Sequence, residues 1–230
     1  HASFGGIGMA YYFGANPLLG ALLFAVLSAL GIETFTARKQ IREDSAIGLL
    51  WSLGMAIGII FIYLTPGYAP NLMSFLFGNI LSVTGTDIFW MGVVDLAILL
   101  IFGTMYHPIL FVAFDREYAR SQNFPTRTIS YLMATLVAVT IVISIRVVGI
   151  VLLISLLTIP AVIGNLISKS FGRILLYGSV IAALSAFAGL YISYQTNIPS
   201  GASTIFVLTV TLIAVKTITF VRLKRRMKTR

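Results

Sequence analysis

The chain has 230 residues, of which 58% are hydrophobic and only 10% charged, with 16 basic against 7 acidic side chains and no cysteine. Soluble domains carry about 25% charged residues, and a mean hydropathy of +0.98 leaves too little polar surface for a water-facing exterior. This composition excludes a cytosolic enzyme, nucleic acid as the reason for the net charge of +9, disulfides, and thiolate chemistry.

The chain begins at His1 with a short apolar run over 1–14, followed by spans over 17–36 and 46–64. A crossing helix needs about 20 apolar residues, so the first run reads as a short span of a chain lacking an upstream segment. His1 is either a terminal residue or, through its imidazole, a donor to a transition metal. Gly5-Gly-Ile-Gly8 has neither the Lys nor the preceding strand of a phosphate loop. Glu33, close to Arg38 and Lys39, is expected in an interfacial ion pair. Gly54-Met-Ala-Ile-Gly58 is a GxxxG pattern suited to close helix packing.

The stretch 72–84 is apolar but too short to cross, and is expected to be a re-entrant or interfacial helix. The next span, 88–106, carries Asp95 about two turns in; it is read either as lining a cation path or as a carboxylate paired within the bundle. His107, before Pro108, marks a helix exit and is read as structural. The polar stretch 107–127 follows, within which Asp115 caps a short helix over about 115–122, Asn123 takes the left-handed position that ends it, and Pro125 forbids continuation. That helix is a surface linker or a docking element. Spans over 128–145, 149–167, 174–193 and 201–221 complete the set, and Pro160 is expected to kink the second of these.

No run alternates as a barrel strand would. The expected fold is therefore an all-α polytopic transmembrane bundle of about eight spans. It forms one permease-like domain over 1–221, with a basic tail at 222–230. If 72–84 does not cross, 15 of the 16 basic residues lie on one side and Arg146 alone lies opposite. The positive-inside rule makes that side the cytoplasm, with the C-terminus in it, and lipid is then the chain's solvent.

Six short motifs, in order, carry a resemblance covering essentially the whole chain. They are His1-Ala-Ser-Phe-Gly-Gly-Ile-Gly8, Arg42-Glu-Asp-Ser-Ala-Ile-Gly48, Leu76-Phe-Gly-Asn-Ile-Leu-Ser-Val83, Phe114-Asp-Arg-Glu-Tyr-Ala119, Val148-Gly-Ile-Val-Leu152 running into Ile159-Pro-Ala161, and Ile198-Pro-Ser-Gly-Ala202. With them the chain resembles the metal-ion permeases, of zinc/manganese/iron type, of ATP-binding-cassette importers. The resemblance implies a bacterial plasma (inner) membrane protein that pairs with a second permease copy. Cytoplasmic ATP-binding subunits would dock on it, and an extracytoplasmic metal-binding protein would deliver the ion.

On the same resemblance, His1 lies on the ion path, with an Asp expected four residues upstream of it. The transported zinc or manganese is cargo, and no cofactor is bound permanently. Phe114, Asp115, Tyr118, Ala119 and Asn123 fall in the region that couples to the ATPase, with Tyr118 and Ala119 as the expected contacts. Four positions depart from the family pattern. Asn123 replaces a Gly, Asn197 replaces an acidic residue, and Val162 and Ile163 are bulkier than the usual small residues. Two other classes compete with this reading. An ion-coupled secondary transporter commonly shows repeats and midplane charges. An intramembrane enzyme needs paired catalytic groups, and neither a Ser/His/Asp set nor HExxH is present.

Overall fold

The computed structural model describes residues 1–37, 42–66, 78 and 83–228. Among them the chain is helical throughout: α1 (Ala2–Tyr12), α2 (Pro17–Ala37), α3 (Glu43–Leu64), α4 (Gly85–Phe114), α5 (Arg116–Ser121), α6 (Thr126–Val148), α7 (Ile150–Ile167), α8 (Phe171–Thr196) and α9 (Ser200–Lys228). Seven of these, all but α1 and α5, are long and apolar enough to cross a membrane. At 1.5 Å per residue the 11 residues of α1 reach only about 16 Å, half the hydrocarbon thickness. The helix expected over 72–84 lies, apart from Gly78, Val83 and Thr84, outside the described residues.

One boundary corrects the sequence reading. The helix expected to end at 106 runs through Pro108 to Phe114, with non-helical backbone at Met105 (φ −115°, ψ 23°). Proline clashes with the carbonyl four residues before it, and the break next to Thr104 relieves this while Ile109 and Val112 carry the helix on as buried core. The long helix therefore ends at Phe114 rather than at 106. The sequence from 222, expected as a tail, continues α9 to Lys228. The start of α4 has a signal the sequence reading missed, a capping box in which Asp87 N–H donates to Thr84 Oγ1 (3.3 Å) and Thr84 N–H donates to Asp87 Oδ2 (2.9 Å).

The stretch 1–221 resolves into two compact units. In the first, α1 packs against both α2 and α3. Its glycines face glycines: a Cβ on Gly6 would fall on the Gly20 backbone, and one on Gly54 would sit 2.5 Å from Ala2 Cα. The Gly5–Gly8 cluster and the GxxxG of α3 are thus two sides of one seam, in which missing side chains let backbones touch. The unit is completed by α4, α5 and α6 as far as Ser144. The second unit holds Gly78, the end of α6 from Ile145, and α7, α8 and α9, which pack on one another. There Gly78 (φ 73°) meets the backbone of Val147 and Val148, and Pro160 is buried with its carbonyl facing Gly178. Asn197, which ends α8, is left-handed (φ 55°), a state that Asn tolerates better than an acidic side chain does.

Hydroxyls in each of the seven long helices are bonded within the helix. A Ser or Thr donates to the carbonyl four residues earlier in α2 (Thr34), α3 (Ser52), α4 (Thr104), α6 (Thr135), α7 (Ser155), α8 (Thr196) and α9 (Thr209).

Candidate ion cavity and docking helix

Within the first unit, α1, α2, α3, α4 and α6 enclose a cavity of about 830 Å³. The α2 stripe that lines it, Ala25, Ser28, Ala29, Ile32, Glu33 and Thr36, repeats at three and four residues and so lies on one helix face. The stripe on α6 runs from Ile129 to Ile141. Both stripes are about 16–18 Å long by helical rise, or half a bilayer. The walls are largely apolar and the small residues make the room.

His1 stands on this wall at the start of α1, its ring stacked on Trp51 of α3 at 4.7 Å. Buried side-chain polar atoms without a hydrogen-bond partner, among the described residues, are His1 Nδ1, Ser3 Oγ and Thr36 Oγ1. All three belong to residues of the cavity wall. An unpaired polar atom in a dry interior costs roughly 1–3 kcal/mol. No group of three His, Asp or Glu side chains comes together among the described residues, and His1 supplies one donor rather than a full coordination shell. Asp95 is not brought to this cavity; it is exposed on α4.

At the other end of the cavity stand Glu33, Glu43 and Arg116. Glu33 does pair, with Arg116 at 2.9 Å, 83 residues away; Arg38 and Lys39, its expected partners, lie outside the described residues. Beside it Thr34 Oγ1 and Tyr131 Oη share a hydrogen bond (2.9 Å), and the Arg127 guanidinium lies over the Tyr131 ring at 5.7 Å.

Arg116 opens α5, the short helix expected at this point. Asp115 Oδ1 accepts from Tyr118 N–H (2.9 Å), which gives the cap. Asn123 is left-handed (φ 60°), with Asn123 N–H donating to Arg120 O (2.9 Å) and Phe124 N–H donating to Ala119 O (3.1 Å), the paired bonds of a Schellman ending. Asn thus keeps the turn where the family has Gly. Phe114 and Tyr118 are exposed, whereas Ala119 is 0% exposed and packs with Ile109, Val112 and Ile129. The exposed aromatic side chains at this corner are therefore Phe114, which ends α4, and Tyr118 on α5. Ala119 faces inward and seats the helix, its small side chain permitting close approach to this core.

A model of the ABC 3 transport family matches residues 1–219. The chain belongs to the ABC 3 transport family. It is a multi-pass membrane permease subunit of an ATP-binding-cassette transporter, and ATP hydrolysis resides on a separate subunit. Among relatives, a Synechocystis membrane protein is 37% identical, over 90% of this chain and 74% of its own length. The manganese transport system membrane protein MntC of Halalkalibacterium halodurans is 34% identical, over 90% of this chain and 71% of its own. The structure of PsaBC from Streptococcus pneumoniae in complex with Fab is 29% identical with a TM-score of 0.80, covering 94% of this chain and 77% of that one. Membership in the ABC 3 family disfavours the secondary-transporter reading and leaves no catalytic role for this chain.

Proposed function

We propose that this chain carries a divalent metal ion, manganese ahead of zinc, past His1 and through the cavity toward the end of the bundle where α5 sits. The observation that carries the reading is a half-membrane cleft walled by α2 and α6, with His1 and Ser3 on its wall and Glu33 at its other end. Without cysteine the donors are nitrogen and oxygen, a set suited to manganese and zinc alike. The manganese systems among the relatives tip the choice. The ion is cargo, delivered by an extracytoplasmic binding protein and driven by ATP-binding subunits docked on Phe114 and Tyr118, with a second permease copy completing the pathway.

Basic residues supply the orientation. With Arg116, Arg120, Arg127, Lys169 and Arg173 in the cytoplasm of a bacterial inner membrane, the seven long helices alternate and the C-terminal end of α9 is cytoplasmic. Counting α1 as a short first crossing gives eight, and places His1 near the bilayer midplane. Single cysteines at Ser121 and Ser170 in this cysteine-free chain are expected to react with impermeant thiol reagents from the same side. Reaction from opposite faces would overturn the scheme.

The ion path is tested by His1→Ala in the permease assembled with its ATPase. Metal uptake at limiting manganese is expected to fall at least about tenfold, roughly 1.4 kcal/mol in the limiting step, with membrane insertion unchanged. Unchanged uptake would return His1 to a packing role against Trp51. Asp95→Asn, outside the cavity, is the companion variant; a comparable loss there would move the path toward α4.

A further inference from the structure

The Glu33–Arg116 pair stands between two cavities. Glu33, Arg116 and Ser130 line the larger one, and the same three line a second of about 290 Å³ with Thr34, Arg120, Thr126 and Arg127. The larger is largely apolar-walled, whereas the smaller is basic, lined by Arg116, Arg120 and Arg127. The two partners of the pair differ in exposure. The Glu33 side chain is 17% exposed and that of Arg116 is 44% exposed, so the carboxylate belongs to the cavity and the guanidinium to its outer side.

Arg116 is also the first residue of α5, and Asp115, immediately before it, caps that helix. The guanidinium thus cannot leave Glu33 without either a side-chain rotation or a movement of the docking helix, which is seated on Ala119. Glu33 in turn is carried by the α2 face that lines the cavity. The pair joins the wall of the ion path to the element on which a partner would push.

We propose that Glu33 and Arg116 form a latch across the cavity, held shut while α5 is at rest and released when α5 shifts. This deepens the ion-path reading and rests on it for the identity of the cargo. Closed, Arg116 neutralises the one carboxylate of the pair and sets a fixed positive charge in the way of a cation. Open, it uncovers Glu33 as an oxygen ligand at the exit, with Glu43 on the same wall. A divalent cation reaching Glu33 competes with the guanidinium for the same oxygens, so arrival of cargo and release of the docking helix favour one another. The Thr34–Tyr131 hydrogen bond holds α2 to α6 beside the pair, which confines the motion to the α5 side.

The test reads accessibility rather than transport. In the permease–ATPase complex in nanodiscs, Ser28→Cys places the single thiol on the cavity wall. Its labelling rate with a bulky charged methanethiosulfonate is measured in otherwise parental protein and with Glu33→Gln, Arg116→Gln, Arg116→Lys and both glutamines together. A half-exposed ion pair supports a change of about fivefold. Labelling is expected to quicken by that factor in either single glutamine variant and no further in the double, because both remove one interaction. It should stay within about twofold of the parent with Arg116→Lys, which keeps the charge. Equal rates in all five proteins, or two independent effects that add in the double, would overturn the latch. Manganese flux is measured separately on the same samples. A failure of the metal reading would appear there as absent ATP-driven manganese transport, while the labelling pattern still decides the latch.

Discussion

Ala119→Arg is expected to abolish recovery of the ATPase with this permease, by at least about tenfold in co-purification. The side chain at 119 is fully buried between α5, Ile109, Val112 and Ile129. An arginine there must either bury an unpaired charge, at several kcal/mol, or lift α5 off its seat. The second is cheaper, and it destroys the docking surface while α4 and α6 stay folded. Two controls separate seat from surface. Phe114→Ala, at an exposed position, removes apolar contact area without disturbing the seat and should weaken recovery less. Asp115→Asn keeps an N-cap worth about 1 kcal/mol and should change little. Equal recovery with Ala119→Arg and the parent would show that α5 is a surface linker.

The second large effect is expected at the glycine seam. A Cβ at Gly58 would lie 2.6 Å from the Phe4 carbonyl oxygen, against backbone that has no rotamer to yield. Gly58→Leu must therefore push α1 away from α3. Forced overpacking costs about 1–3 kcal/mol where side chains can adjust, and more is expected here. The displacement moves His1 off Trp51 and out of its place on the wall, so both thermal stability in detergent and metal uptake should fall. Gly92→Leu on α4, whose Cβ meets nothing within 4 Å, is the matched control and should leave the melting temperature within about 1 °C. Parental stability and uptake in Gly58→Leu would mean that α1 does not depend on this seam.

The spans were legible because a bilayer demands some 20 apolar residues in a row, and that demand is written locally. The short helix α5 was legible for a similar reason, since Asp115, Asn123 and Pro125 act within a few residues of themselves. What escaped reading is non-local. Pro108 reads as a helix exit because proline disfavours helix, yet packing of Ile109 and Val112 keeps α4 going past it. Glu33 lies among nearby basic residues, and no local rule points to Arg116. The stripe Ala25, Ser28, Ala29 on α2 has the spacing of ordinary helix packing. Whether small residues on a face admit a neighbour or leave a gap depends on what stands opposite, and at Gly54 and Gly58 the same kind of pattern admits α1. His1 was readable as a donor only through its motif, since a lone imidazole carries no spacing.

The self-bonded hydroxyls bear on how the protein is made. A threonine that donates to its own helix, as Thr104, Thr135 and Thr209 do, enters hydrocarbon with its donor already satisfied. To the translocation machinery such a segment is nearly as apolar as a run of valines, so each long helix can partition into lipid singly, ahead of its neighbours. The close packing of bare backbone, such as Gly58 against Phe4, can then follow as a separate and later step, once the helices it joins are already in the bilayer.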